Sequence, residues 1–243
     1  MIAIQTTNLA KKFQDKLAVN SLNLSINQGE LFALLGVNGA GKTTTIKMLT
    51  CLSSPTSGDA TLLGNSIVSN PQAVKEKINV SPQETAVARN LSVKENLELI
   101  AKIYGFDKRA IAIKVEEMLM AFSLTEVSKD KAETLSGGMQ RRLSIAMALI
   151  SNPQILFLDE PTLGLDVIAR RELWAAIEKL KGSITIILTT HYMEEAEALS
   201  DRIGIMAKGK LKAVGTVSEL MAKTNTRTLE EAFVSLAARE EAE

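Results

Sequence analysis

Residues Gly36-Val37-Asn38-Gly39-Ala40-Gly41-Lys42-Thr43 have the spacing of a loop that wraps a phosphate. They follow an apolar run, Leu31-Phe32-Ala33-Leu34-Leu35, and lead into a helix-forming stretch, the context such a loop needs. Each residue type has a task. Glycines let the backbone turn closely and take positive φ. Consecutive N–H groups then point inward as an anion nest, with a helix N-terminus behind them. Lys42 brings a positive charge to the outer phosphates, and the hydroxyl of Thr43 can ligate Mg2+, with Thr44 beside it. A second group lies downstream, where Ile155-Leu156-Phe157-Leu158 precedes Asp159 and Glu160. Four apolar residues bury a strand and push two carboxylates out at its end. Asp159 can hold the Mg2+ shell, and Glu160 can orient and deprotonate an attacking water.

Leu135-Ser136-Gly137-Gly138-Met139-Gln140 opens another helix. Ser136 is a suitable N-cap. The two glycines leave bare N–H groups at the positive end of the helix dipole, a second anion site. One nucleotide can use both cradles only if they come from opposite chains. That predicts a head-to-tail dimer with the nucleotide in the seam.

With these motifs in order, the chain resembles the ATP-binding subunits of ABC transporters over nearly its whole length. Gly36 to Thr43 is similar to the Walker A loop and Ile155 to Glu160 to Walker B with its catalytic glutamate. Leu135 to Gln140 is similar to the signature motif. Gln83, in Ser81-Pro82-Gln83-Glu84, resembles the Q-loop glutamine, which implies a role near Mg2+ and at a lobe hinge. Leu163-Gly164-Leu165-Asp166 resembles the D-loop. His191, the single histidine, resembles the switch residue that senses the γ-phosphate. Phe13 stands where the family usually has an adenine-stacking tyrosine, and Met139 where the signature usually has glutamine. A phenyl ring still stacks on a purine, and backbone N–H groups make most of the phosphate contact. The resemblance implies ATP and Mg2+ as ligands, a second copy of the chain and an integral membrane permease as partners, and a place at the inner face of the membrane. Asn90 to Leu97, the Met139-Gln140-Arg141-Arg142 ending and Thr228 to Phe233 are similar to exporter subunits of sodium-extruding, drug-export and polysaccharide-export types, the sodium-extruding type most of all.

The elements that must position these groups read as a phosphate-loop α/β fold. The expected architecture is a core with a mixed parallel sheet, an N-terminal antiparallel β-subdomain and an inserted α-helical subdomain. The core takes about residues 1–83 and 136–220, the helical subdomain about 84–135 and a helical tail about 221–243. Alternation over Ile2 to Leu9 and Val19 to Ile26 predicts two antiparallel strands. Ser92 with Glu95 forms a capping box for a helix to about Tyr104, ended by Gly105; another helix follows over about 108–122. Asp166 caps a helix to Leu180 that stops at Gly182. Ile184 to Thr189 is a β-branched strand, and Arg202 to Met206 and Leu211 to Gly215 form a hairpin. Arg141 and Arg142 read as a solvated helix face and Met118 to Met120 as core.

Lys plus Arg equals Asp plus Glu, at 28 each, so the chain has no electrostatic footprint for nucleic acid. Cys51 is the lone cysteine, which excludes an internal disulfide and points to a reducing compartment. No leader-like start and no run of about 18 apolar residues is present, so a membrane would be served through another chain. The absence of an Asn-Lys-x-Asp guanine-reading motif argues against a GTP switch. A soluble ABC-type ATPase without a transport role, such as an iron–sulfur assembly helper, is the alternative.

Overall fold

The computed structural model describes residues 1–238; residues 239–243, the end of the expected tail, lie outside the described residues. The first third contains β1 (Ile2–Phe13), β2 (Lys16–Leu22), β3 (Ser25–Asn27), β4 (Leu31–Leu35), α1 (Lys42–Leu49), β5 (Ser57–Leu62), β6 (Asn65–Ser66), α2 (Pro71–Lys75) and β7 (Ile78–Ser81). Three helices follow, α3 (Val93–Ile103), α4 (Lys108–Ala121) and α5 (Gly137–Leu149). The chain continues through β8 (Ile155–Asp159), α6 (Val167–Glu178), β9 (Thr185–Thr190), α7 (Met193–Leu199), β10 (Arg202–Ala207) and β11 (Lys210–Gly215). It reaches α8 (Val217–Thr224) and α9 (Leu229–Ala238).

Six strands form a mixed sheet in the order β11-β10-β4-β9-β8-β7. Pairs among β10, β4, β9, β8 and β7 are parallel, and β11 is antiparallel to β10. The apolar runs are central strands because both faces of this sheet are covered. Leu31, Ala33, Leu35, Leu156 and Leu158 face one core, packed with residues from α3 to α7 and α9. Phe32, Leu34, Ile155 and Phe157 face the other, shared with α1 and the antiparallel sheet. Full burial of each such side chain contributes about 1.5–3 kcal/mol.

The antiparallel sheet runs β2-β1-β5-β6, with β3 also on β1. The expected strand from Val19 to Ile26 is divided into β2 and β3. Ser21 and Asn8 take φ values of 49° and 48°, a turn of the backbone that breaks an even ladder. The side chains repair the break. Ser21 Oγ and Asn23 Nδ2 donate to Asn8 Oδ1, while Thr6 Oγ1 donates to Leu22 O and accepts from Leu24 N.

Caps fall where the residue types require them. Ser92 and Glu95 form both bonds of the capping box at α3, and Gly105 follows with φ of 78°. Asp166 accepts from Ile168 N and Ala169 N at the start of α6. Two expectations are corrected. Met120 is 60% exposed while Leu119 is buried, because α4 turns only one face to the core. Arg141 is 4% exposed and Arg142 pairs with Glu172 at 3.0 Å, so this pair is not a solvated face; α5 is packed on several sides. No helix among the described residues is long and apolar enough to cross a membrane.

Candidate active site

Strand order decides which residues meet. β9 lies between β4 and β8, and β7 lies beyond β8. The carboxyl ends of these parallel strands, where ligands gather in such sheets, therefore deliver Gly36 to Lys42, His191, Asp159 with Glu160, and Gln83 side by side.

The loop between β4 and α1 is tightly enclosed. A Cβ on Gly36 would come within 2.4 Å of Met206 O, and Gly41 has φ of 106° with Ala18 O only 2.6 Å from such an atom. Gly39, at φ of 82°, faces open space. Gly209 N donates to Ala40 O at 3.0 Å, so the β10–β11 turn braces the loop from behind. Lys42 is 5% exposed; its Nζ donates to Gly36 O at 2.7 Å and pairs with Glu160 Oε1 at 3.1 Å. His191 Nδ1 lies 2.8 Å from Glu160 Oε2. Glu160 itself has φ of 49°, in the left-handed region, and its N–H bonds to Thr189 Oγ1 at 3.0 Å. Asp159 Oδ1 accepts from Thr43 Oγ1 at 3.1 Å and from Thr189 Oγ1 at 2.5 Å.

A cleft of about 800 Å3 opens above this group. Phe13, Asn38, Gly39, Gly41, Lys42, Thr43, Thr44, Gln83, Glu160 and His191 all line it. Gly36, Val37, Ala40 and Asp159 lie in the loop or strand end beneath without lining it. Ser136, Gly137, Gly138 and Met139 are not brought to this cleft. Ser136 Oγ caps α5 by accepting from Met139 N at 3.3 Å. A Cβ on Gly137 would meet nothing within 4 Å, whereas a Cβ on Gly138 would meet Ala169 of α6 at 2.8 Å.

The donor set fits a hard divalent cation such as Mg2+. Among the described residues no group of three or more His, Cys, Asp and Glu could hold a metal. Thr43 and Asp159 together offer one hydroxyl and one carboxylate, the small protein share Mg2+ takes when phosphates supply other ligands.

Sequence reasoning missed Thr189, Arg141 and the cleft-lining cations Lys16 and Lys208. Thr189 carried a readable signal, a hydroxyl at the end of an apolar strand, but its opposition to Asp159 depends on strand register. Arg141 Nε donates to Pro161 O at 2.9 Å and Nη2 to Asp159 O at 2.8 Å. Burial pushes its guanidinium down to about 10, against the pull of Asp159 and Glu195.

A nest-forming loop, its lysine and Glu160 facing one cleft, with Asp159 bonded to Thr43 beneath it, define a phosphate-loop nucleotide-binding domain. Comparison with known proteins narrows this. A family model described as ABC transporter matches residues 19–163. The chain is 48% identical over 211 residues to "ABC transporter A family member 2" of Arabidopsis thaliana, covering 86% of the chain but spanning only 22% of that protein's length. It is 40% identical over 233 residues to "Linearmycin resistance ATP-binding protein LnrL" of Bacillus subtilis (strain 168), covering 96% of the chain and 75% of that protein. The structure described as "Dimeric structure of a post-hydrolysis state of the ATP-binding cassette MJ0796 bound to ADP and Pi" superposes with a TM-score of 0.78. Its identity is 25%, over 88% of this chain and 98% of that one. The chain belongs to the ABC transporter family as an ATP-binding domain.

Proposed function

We propose that two copies of this chain close head to tail around two ATP molecules and drive a membrane permease from the cytoplasmic side. The observation that carries the proposal is the position of the α5 N-terminus. Its capped, glycine-rich end is open at Gly137 yet contributes nothing to the cleft that Lys42 lines. An anion site turned away from its own chain's nucleotide is suited to a nucleotide held by another chain. The structural neighbour described as a dimeric ATP-binding cassette bound to ADP and Pi supports a dimer.

In this reading Phe13 stacks on adenine, while the N–H groups of Gly36 to Thr44 and the Lys42 ammonium hold the phosphates. Glu160 accepts a proton from the attacking water, and His191, bonded to Glu160, senses the γ-phosphate. Thr43 and Asp159, with Gln83 beside them, would hold Mg2+, which neutralises phosphate charge. Ser136, Gly137, Gly138 and Met139 grip the γ-phosphate of the partner's nucleotide. ATP favours closure only through its preference for the closed state, and hydrolysis removes that preference. Residues 84–135 act as a helical lobe that passes the motion to the permease, and residues 221–243 form a helical tail. Direction is proposed as export. Motif resemblance supports sodium as cargo; the linearmycin resistance relative supports an organic compound instead.

Glu160→Gln tests the proposal. With saturating Mg-ATP this variant elutes at twice the mass of one chain and does not hydrolyse. Adding Gly137→Glu, at a position with space for a side chain, returns it to monomer. A Glu160→Gln chain that stays monomeric sinks the head-to-tail site.

A further inference from the structure

Arg141 is the most deeply buried cation whose role the nucleotide reading leaves unassigned. Among the described residues, every hydrogen bond of its guanidinium runs to a backbone carbonyl. Nε reaches Pro161 O at 2.9 Å and Nη2 reaches Asp159 O at 2.8 Å, while Nη1 donates to Pro82 O and, at 3.4 Å, to Gln83 O. A buried cation without a contacting carboxylate is expensive to hold, and burial lowers its proton affinity accordingly. The rigid, planar fork is the property that distinguishes arginine here, since it can bind several acceptors at fixed angles.

Two of the four acceptors belong to the residues on either side of Glu160. That residue sits in the left-handed region at φ of 49°, a conformation a glutamate rarely takes unless its surroundings impose it. Thr189 fixes the Glu160 N–H. Arg141 fixes the carbonyls before and after. The other two acceptors lie at the exit of β7, at and before Gln83.

We infer that Arg141 is a positioning residue that clamps the peptide groups flanking Glu160 and ties that turn, together with the Gln83 segment, to α5. It touches no substrate. Because Ser136 to Met139 begin the same helix, the clamp joins the hydrolytic turn of one nucleotide site rigidly to the anion site offered to the other. The inference rests on the reading of Glu160 as the base.

Arg141→Lys keeps the charge and stem but replaces the fork with a point donor that cannot span Asp159 O and Pro161 O at the same angles. Steady-state ATPase kinetics on the whole chain should show kcat reduced roughly 10–100-fold, the effect of a small misplacement of a reacting group, with KM for ATP within about twofold. A clamp that serves stability alone would lower the melting temperature and leave kcat per folded molecule at the wild-type value; that result overturns the inference, as does a change confined to KM. Glu160→Gln in the same assay separates the two claims. Wild-type hydrolysis by Glu160→Gln removes the base reading, whereas an inactive Glu160→Gln beside a fully active Arg141→Lys removes only the clamp. Should Arg141→Lys not fold, hydrogen exchange at the Arg141 side chain of the wild-type chain decides. Slow exchange of its Nε–H, the donor to Pro161 O, supports the clamp, and exchange as fast as that of an exposed arginine refutes it.

Discussion

Thr189→Val isolates the hydroxyl that joins the two strand-end acids. Thr189 is fully buried, and valine preserves its shape and its strand preference, so packing changes little. The hydroxyl donates to Asp159 Oδ1 at 2.5 Å and accepts from Glu160 N at 3.0 Å. A hydrogen bond to a charged group contributes about 1.5–3 kcal/mol. The Glu160 N–H keeps a second acceptor, Thr189 O at 3.1 Å, and Asp159 keeps Thr43 at 3.1 Å, so neither is left wholly unpaired. The expected loss is therefore near the lower end, about 2 kcal/mol. For a chain of this size that lowers the melting temperature by about 4–8 °C. Circular dichroism melts at neutral pH measure it. Freed of the hydroxyl, Asp159 and Glu160 also lose their common anchor, and kcat should fall about tenfold, equivalent to about 1.4 kcal/mol of barrier. A variant that melts within about 1 °C of the parent and turns over normally would refute the argument that this hydroxyl carries the site's geometry.

Glu195 is fully buried, and burial raises its carboxyl above the ordinary value of 4.5, against the pull of the nearby Thr190 and Thr162 hydroxyls and the hydrogen bond from Trp174 Nε1. Its stabilising contribution is thus complete below 4.5 and is lost as pH rises through the raised folded value. Glu195→Gln has no proton to lose, so its melting temperature should gain on the parent steadily from acid to neutral pH; a constant offset across that range contradicts the assignment. Gly41→Ala must place a methyl 2.6 Å from Ala18 O at φ of 106°, which alanine avoids. Calorimetric titration should show ATP affinity reduced more than tenfold, about 1.4 kcal/mol, and unchanged affinity would mean the loop tolerates a side chain there.

Local chemistry makes much of this fold readable. The capping box of Ser92 and Glu95, the cap at Asp166 and the all-apolar runs at Leu31 and Ile155 each announce one element, because the signal sits in adjacent residues. The cradle glycines, Lys42 and the acid pair are legible for the same reason. β5, β6 and β7 are not, since short strands of mixed polarity become strands only through their partners. The start of α8 does carry a local signal that sequence reasoning missed, the Thr216 and Glu219 capping box. Arg141 reads wrongly from sequence because a basic residue beside another basic residue resembles a wet helix face. Its burial follows from where β7, β8 and α5 converge, which no local pattern encodes. The placement of Ser136 to Met139 outside the cleft is likewise a property of the assembled sheet and helices.

Trp174 is the sole tryptophan, and its indole Nε1 donates to Glu195 Oε1 at 3.1 Å. The bond spans two helices with different duties. α6 follows the segment ending at Asp166, and α7 starts two residues after His191. Emission from a single indole is sensitive to that bond and to the solvent around it. The chain therefore carries its own optical gauge of displacement between these helices, readable in real time through an ATPase cycle without any attached dye.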